Sequence, residues 1–306
     1  MGGLLVATAL GSTHSVGCAA RDLGVQDDDS PPTDDSDGGT TPGSSTVGPP
    51  ISDGICPVTT LCWENPLPQG NDLQAVSSLS SRHVWAVGRA RTVLFWDGKG
   101  WAQGMPPITI NKNDLYGVHA STLTDTYIVG NGGFILHGNA AAGWMPEVPN
   151  FAHDLRAVSV SDGFGIATSA AGQLFYRSNG PNWNNRDPMT GTQFLAAFAV
   201  DKGNFWAAGG QGRIVNYVPG NGPVVTLSVS GTNVSLYAIW GRSGTDLWAA
   251  GFDGTTQHGN GSTWTAVTTL PQVNITGLWG NTTDLWAAST RPATRTGQLY
   301  RLDRKS

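Results

Sequence analysis

The sequence predicts an all-β fold, a six-bladed β-propeller, on the basis of two observations. The chain has 42 glycines and 12 tryptophans among 306 residues but only 13% charged residues, a composition typical of many short strands joined by tight turns. A short apolar segment also recurs every 39 to 42 residues, a period typical of repeat architectures such as propellers. These segments open at Leu73, Leu115, Leu155, Phe194, Leu236 and Ile275.

Each repeat contains the pattern of four short strands. The second strand carries an aromatic residue followed by small residues, as in Trp85-Ala86-Val87-Gly88 and Trp248-Ala249-Ala250-Gly251. Most third strands are followed by Asn-Gly or Asp-Gly, the strongest short signal for a two-residue hairpin turn. A fourth strand then opens, commonly with Trp, and we expect these repeated tryptophans to pack between adjacent blades. An aspartate that stands two residues before the aromatic is expected to cap the turn between strands one and two; it occurs as Asp125, Asp246 and Asp284.

The ends of the repeat region predict how the ring closes. The last repeat stops after its third strand, at Tyr300-Arg301-Leu302. Trp63 precedes Leu73 by about the spacing that separates the other fourth strands from the next repeat. The segment Cys62-Trp63-Glu64-Asn65-Pro66 is therefore predicted to be the fourth strand of the last blade. Closure by this N-terminal strand would remove the open sheet edges.

Three segments are predicted along the chain: 1–18, 19–55 and 56–306. In the first, an apolar run leads to Ser15-Val16-Gly17-Cys18, which resembles a signal peptide with the lipobox of bacterial lipoproteins. The resemblance implies that Cys18 is acylated and anchors the chain to a membrane. Ala20 two residues after it, rather than Asp, is compatible with the outer membrane. The alternative is an ordinary signal peptide with an incidental cysteine.

The segment 19–55 and the two remaining cysteines complete this picture of an exported protein. The stretch is rich in Asp, Ser, Thr, Pro and Gly, with eight aspartates against Arg21, and we expect a disordered spacer. Cys56 and Cys62 are expected to form a disulfide, and two cysteines without a nearby histidine do not make a metal site. The body 56–306 is nearly neutral, which argues against nucleic-acid binding, and a monomer is expected.

The repeat unit resembles the BNR/Asp-box and WD/YVTN-like propellers that are common in bacterial surface lipoproteins. The resemblance covers residues 62–303 and implies a binding or scaffold module without specifying its chemistry. The sequence departs from the sialidase Asp-box, because Asp97-Gly98-Lys99-Gly100-Trp101 places the aromatic residue one position too close to the aspartate.

The chain offers little to an enzyme mechanism. His137 and His258 occupy the same position of their third strands in blades two and five, on opposite walls of the ring, so they cannot share a metal or a catalytic proton. The only glutamates are Glu64 and Glu147, no hydrolase or phosphate-binding motif is present, and no cofactor is expected. A sialidase-like or other glycan-active hydrolase remains the alternative to a binding module.

One set of arginines suggests a ligand. Arg89 and Arg91 lie in the loop between strands two and three of blade one, and Arg291 and Arg295 lie in the corresponding loop of blade six. These loops share one face of neighbouring blades, so we hypothesise an anion-recognising rim, with Arg213 joining from further round. The alternative is a set of solvated surface charges. The sequence thus predicts an exported, lipid-anchored module that binds an envelope protein or an acidic glycan, or that assists assembly of an envelope complex.

Overall fold

The computed structural model describes residues 6–7, 71–103, 114–139, 143–147, 152–180, 182–186, 191–219, 224–267, 273–294 and 296–302. Within these ranges the chain forms six four-stranded antiparallel sheets, the blades of a propeller ring, and no α-helix. The predicted fold class is therefore confirmed. Cys18, Cys56, Cys62, the spacer 19–55 and the predicted closing strand 62–66 lie outside the described residues.

Blades one to three follow one another along the chain, each with its strands in sequential order from the inner to the outer edge. Blade one consists of β2 (Leu73–Ser80), β3 (His83–Gly88), β4 (Val93–Trp96) and β5 (Trp101–Gln103). Blade two consists of β6 (Leu115–Thr122), β7 (Asp125–Gly130), β8 (Ile135–Asn139) and β9 (Gly143–Glu147). Blade three consists of β10 (Leu155–Ser161), β11 (Phe164–Ser169), β12 (Leu174–Ser178) and β13 (Trp183–Arg186).

Blades four and five repeat the same order, and blade six differs. Blade four consists of β14 (Phe194–Asp201), β15 (Asn204–Gly209), β16 (Arg213–Val218) and β17 (Val224–Val229). Blade five consists of β18 (Leu236–Ser243), β19 (Asp246–Gly251), β20 (Thr256–Gly259) and β21 (Trp264–Val267). Blade six consists of β22 (Asn274–Gly280), β23 (Leu285–Arg291) and β24 (Thr296–Leu302), with the short β1 (Val6–Ala7) paired to the inner edge of β22.

The outer side of blade six is open within the described part of the chain. β24 has no described strand beyond it, whereas the third strands of the other five blades each pair with a fourth. Leu299 in β24 is 60% exposed, while Leu174 and Ile214 at the corresponding position are 1% and 0% exposed. The described residues thus leave the place of the fourth strand of blade six unfilled.

Adjacent blades pack through the repeated aromatic residues, as predicted. The fourth-strand Trp of one blade meets the second-strand aromatic of the preceding blade edge to face, with ring centroids 5.2 to 6.2 Å apart, the geometry that aromatic pairs prefer. The three described pairs are Trp144 with Trp85, Trp183 with Tyr127, and Trp264 with Trp206. All six rings are less than 9% exposed, so their contribution is to hold the ring together.

Hydrogen bonds between inner strands join blades one to four. Ser77, His119 and Ser159 each accept a backbone N–H from the inner strand of the next blade, at 2.9 Å. Burial lowers the pKa of His119 to about 4, so this histidine is neutral and its Nδ1 is available as the acceptor. Phe198 and Trp240 occupy the same position in blades four and five, and they pack against each other instead.

Candidate functional site

The directions of the strands divide the ring into two faces. The turns between second and third strands lie on one face, together with the loops that lead from each blade into the next inner strand. We call this the upper face; three-residue turns on it are Arg89–Arg91, Asn131–Gly133, Gly210–Gly212 and Phe252–Gly254. The hairpins that contain Arg82 and Lys99 lie on the opposite, lower face.

The turns of the upper face share one construction, which explains the Gly that ends the second strands. The first N–H of each turn donates to the carbonyl of the residue just before the inner strand of the same blade, as Gly210 does to Gln193 at 2.9 Å. A Cβ on Gly209 would lie 2.0 Å from that carbonyl oxygen, so glycine permits this close approach in blade four. Blade three has Ser169 at the equivalent position and forms the same bond, from Ala170 N–H to the Asp154 carbonyl at 3.2 Å. The turn is thus pinned to the inner strand.

The turn of blade one departs from the others at Arg91. Its φ is +59°, in the left-handed region that disfavours any residue with a Cβ. The equivalent residues of blades two to five are all glycines, Gly133, Gly172, Gly212 and Gly254, with φ between +64° and +88°. An arginine therefore replaces glycine at the third turn position, and the backbone keeps the glycine conformation. The middle residue of the turn is left-handed as well, as in Ala90, Gln211 and Asp253.

The neighbours of Arg91 fix its turn in place. Ala90 donates its N–H to Asp114 Oδ1 of blade two at 3.0 Å, and Arg89 Nη1 lies 3.4 Å from Asp72 Oδ2. The Arg89 side chain is 41% exposed, so it is held by one carboxylate and still accessible. The turn that carries the two arginines is therefore bonded to blades one and two.

The described arginines of this hypothesis lie in blades one, four and six. Arg213 begins the third strand of blade four, three blades away from blade one in the ring, and its participation with Arg89 and Arg91 stays a prediction. Arg291 ends β23 and alternates with Leu285 and Ala287, which pack towards blade five. Arg295 lies outside the described residues. Arg89 and Arg91 thus share one turn of the upper face, and Arg291 ends the second strand of the neighbouring blade six.

Sequence analysis missed an arginine that the upper face does contain. The guanidinium of Arg156 lies 4.2 Å from the centroid of the Tyr116 ring, across the boundary of blades two and three. Its side chain is 28% exposed and lies 4.0 Å from the carboxylate of Asp154. The sequence signal was available, because Arg156 directly follows the apolar residue that opens its repeat, but the other blades carry no arginine at this position.

A buried charged cluster links blades two and three closer to the lower face. His137 lies between Asp125 (2.6 Å) and Glu147 (3.2 Å) and stacks on Tyr127. Glu147 in turn accepts hydrogen bonds from two side chains of blade three, at 2.6 Å from Arg177 and 2.5 Å from Trp183. The Glu147 and Arg177 side chains are each 11% exposed. Two carboxylates and two cations thus neutralise one another across this boundary.

The pKa values in the cluster follow from these contacts. Hydrogen bonds to Asp125 and then Glu147 raise the pKa of His137 to about 9, so the imidazole is protonated at neutral pH. Burial would raise the pKa of Glu147, but hydrogen bonds from His137, Trp183 and Arg177 hold it below its ordinary value. Burial would likewise raise the pKa of Asp125, but hydrogen bonds from His137 and Ser121 hold it below its ordinary value. Both carboxylates are therefore ionised and fully engaged.

The aspartates that were expected to cap the turn between strands one and two form side-chain contacts with the third strands. Asp125 and Asp246 bond the third-strand histidines His137 and His258, at 2.6 and 2.9 Å, and Asp284 pairs with Arg301 at the same place in blade six. These side chains thus bridge strands two and three, and Asp125 also accepts a hydrogen bond from Ser121 across the turn between strands one and two. His137 and His258 belong to two separate pairs in blades two and five, as expected.

This chemistry does not favour hydrolysis. Asp125 and Glu147 come near each other, but His137 and Arg177 occupy the space between and beside them. Among the described residues no group of three or more His, Cys, Asp or Glu could hold a metal ion. The same part of the chain contains no helix of the length and apolar character needed to cross a bilayer.

Comparisons with known proteins agree with the fold. No protein-family model matches the chain, and no curated protein matches it. Among solved structures, it is similar to YCF48 from Cyanidioschyzon merolae, with a TM-score of 0.59 and 14% identity over 74% of this chain and 79% of that one.

Two further structures show the same likeness. U3-55K has a TM-score of 0.56 and 10% identity, covering 67% of this chain and 69% of that one. The β-propeller domain of Cps50 (Swd1) from Myceliophteria thermophila has a TM-score of 0.54 and 10% identity, covering 72% and 80%. At such identities the likeness concerns the fold alone, and it shows that this chain is a β-propeller.

Proposed function

We propose that the chain is a binding module whose upper face recognises an anionic partner, a protein or an acidic glycan, through Arg91 and Arg89. The observation that carries this proposal is the left-handed backbone of Arg91, where blades two to five have glycine. Guanidinium groups bind carboxylate and phosphate through two parallel hydrogen bonds, so an anion is the ligand that this pair of side chains fits.

Backbone strain supports a role in binding over a role in folding. A left-handed conformation costs a residue with a Cβ about 1–2 kcal/mol, and glycine at the same position would remove this cost. Strain of this kind persists mainly at binding and catalytic sites. The other turns show that the fold itself is satisfied by glycine here, so the arginine is retained for what its side chain contacts outside the turn.

The cellular context is a second part of the proposal and depends on the N-terminal sequence. Ser15-Val16-Gly17-Cys18 supports acylation of Cys18 and display of the propeller at the cell envelope, and Ala20 is compatible with the outer membrane. Metabolic labelling with an alkyne fatty acid tests this. We expect label on the wild-type chain and none on Cys18→Ser, and equal labelling of both chains would refute the anchor.

Partner capture from envelope extract tests the binding function. The baits are the wild-type chain, an Arg89→Ala/Arg91→Ala variant, and Arg82→Ala, which removes an arginine from the lower face. We expect a partner that wild type and Arg82→Ala retain and the double variant loses. A partner retained equally by all three would place recognition elsewhere, and a partner belonging to an envelope complex would specify an assembly role.

A further inference from the structure

The ring has a repeated irregularity at the upper end of its inner strands. Every inner strand shifts register against its second strand near its start, which leaves one unpaired extra residue in each blade. Such bulges re-aim side chains and are common beside binding sites. The extra residues surround the upper mouth of the central channel: Gln74, Tyr116, Arg156, Leu195, Tyr237 and Thr276.

The residue type at the bulge varies from blade to blade, in contrast to the apolar residue directly before it. The residue before each is always Leu, Phe or Ile, whereas the six themselves include two tyrosines and an arginine. Tyr116, Arg156 and Tyr237 are partly exposed, while the other three are buried. The bulge is formed with side chains of very different size and polarity, so the fold does not require arginine or tyrosine at this position.

A chain of contacts connects Arg156 with the strained turn of blade one. The Ala90 N–H donates a hydrogen bond to Asp114 Oδ1. Asp114 lies two residues before Tyr116, and the guanidinium of Arg156 packs over the Tyr116 ring. The turn that holds Arg89 and Arg91 and the stacked Arg156 are therefore parts of one continuous surface. Asp154, the carboxylate nearest to Arg156, also accepts the Gly132 N–H.

Large apolar side chains on the same face favour a protein as the partner. Leu73, beside the turn of blade one, is 43% exposed, and Phe252, in the turn of blade five, is 48% exposed. Aromatic residues and arginine are enriched in protein interfaces and dominate their binding energy. Exposed leucine and phenylalanine suit the apolar side chains of a peptide better than the hydroxyl groups of a glycan.

We propose that Arg156, held on Tyr116, is the second anion-binding group of the upper face, and that the ligand is an acidic protein segment with at least two carboxylates. This inference rests on the proposed function and narrows it. Stacking on Tyr116 orients the guanidinium before the ligand arrives, which reduces the ordering cost of binding. One carboxylate pairs with Arg91, and the other pairs with Arg156.

Fluorescence anisotropy with defined probes on the full chain tests the proposal. The probes are a peptide in which two glutamates flank Leu-Phe, the same peptide with one Glu→Gln change, and polygalacturonate fragments. We expect the two-glutamate peptide to bind the wild-type chain and its Kd to rise at least tenfold in Arg156→Ala. Arg156→Ala should have little effect on the weaker one-glutamate peptide.

Further variants separate binding from folding. Tyr116→Phe keeps the aromatic ring and should keep the affinity for the two-glutamate peptide, whereas Tyr116→Leu should lower that affinity. Thermal melts of each variant report whether it is folded. Arg82→Ala on the lower face is the matched control and should bind normally. Weaker binding in Arg82→Ala comparable to that in Arg156→Ala would refute the proposal, because it would show an unspecific charge effect.

The remaining outcomes distinguish this inference from the proposed function. If Arg91→Ala lowers the affinity for the two-glutamate peptide and Arg156→Ala does not, the inference is wrong and the proposed function stands. If polygalacturonate binds and the peptides do not, the partner is a glycan and the inference is wrong. If no probe binds the wild-type chain, both are refuted.

Discussion

Replacement of Arg91 by glycine should stabilise the protein and weaken its binding, an outcome that only a strained functional residue produces. The residue has a φ of +59°, close to the +64° and +69° of Gly212 and Gly254 at the equivalent positions. The backbone of the Arg91→Gly variant therefore needs no rearrangement. The turn should keep its hydrogen bond from Thr92 N–H to the Arg89 carbonyl.

The expected increase in the free energy of unfolding of Arg91→Gly is the difference between two opposing contributions. Removing the Cβ from a left-handed residue relieves about 1–2 kcal/mol, while the additional freedom of glycine in the unfolded chain returns about 0.4–1 kcal/mol. The net gain is about 1 kcal/mol, which raises the melting temperature by about 2–4 °C for a body of this size. Calorimetry of the two proteins at the same pH and salt concentration measures this shift.

Ala90→Gly is the matched control, because Ala90 is also left-handed, with a φ of +51°, and it carries no charge. We expect this variant to gain similar stability and to retain the ligand, whereas Arg91→Gly gains stability and loses affinity. A lower melting temperature for Arg91→Gly would show that the arginine stabilises the fold, and unchanged affinity would remove it from the binding site.

Other predictions concern the packing and the charged cluster. Trp248→Ala should lower the free energy of unfolding by about 3–5 kcal/mol in urea titrations, because this ring is 3% exposed and large-to-small core changes cost that much; an unchanged value would show that the repeated Trp is not a packing residue. Arg177→Met should cost about 1–3 kcal/mol, because Glu147 loses a charged hydrogen-bond donor and keeps His137 and Trp183. Adding Glu147→Leu should restore part of the loss, and a double variant less stable than Arg177→Met would refute the pairing. The pKa of His137 is raised to about 9, so its contribution to stability is complete below pH of about 6.5 and is lost as the pH rises through 9. Unfolding measured from pH 6 to pH 10 should show this loss in the wild-type chain, and His137→Gln should lack it.

The repeat itself was predictable, because its signals are local. The strand that contains Trp248-Ala249-Ala250-Gly251 and the Asn260-Gly261 turn each depend on a few neighbouring residues, and the structure has β19 and the β20–β21 hairpin at these places. The aromatic spacing also predicted packing between blades, which the contact of Trp264 with Trp206 confirms. The closing strand 62–66 stays a prediction.

The candidate site was predictable only in part. Arg89 and Arg91 were identified from their loop, but the sequence contains no sign that Arg91 is left-handed until it is aligned with Gly133, Gly172 and Gly254. Arg213 was grouped with them because all belong to equivalent loops, and the ring places it in the opposite blade. Asp125 was assigned to a turn, whereas the pairing of β7 with β8 brings it to His137.

The amino-acid sequence by itself determined the class of fold, the four-stranded unit and the number of its copies, because strand period, turn residues and aromatic spacing act over a few residues. Only the tertiary structure decided which side chains meet between blades. Glu147 bonds Arg177 across 30 residues of chain, and Arg156 reaches Tyr116 from the next blade. These contacts depend on the register of one blade against its neighbour, which is set by the packing of whole sheets around the ring.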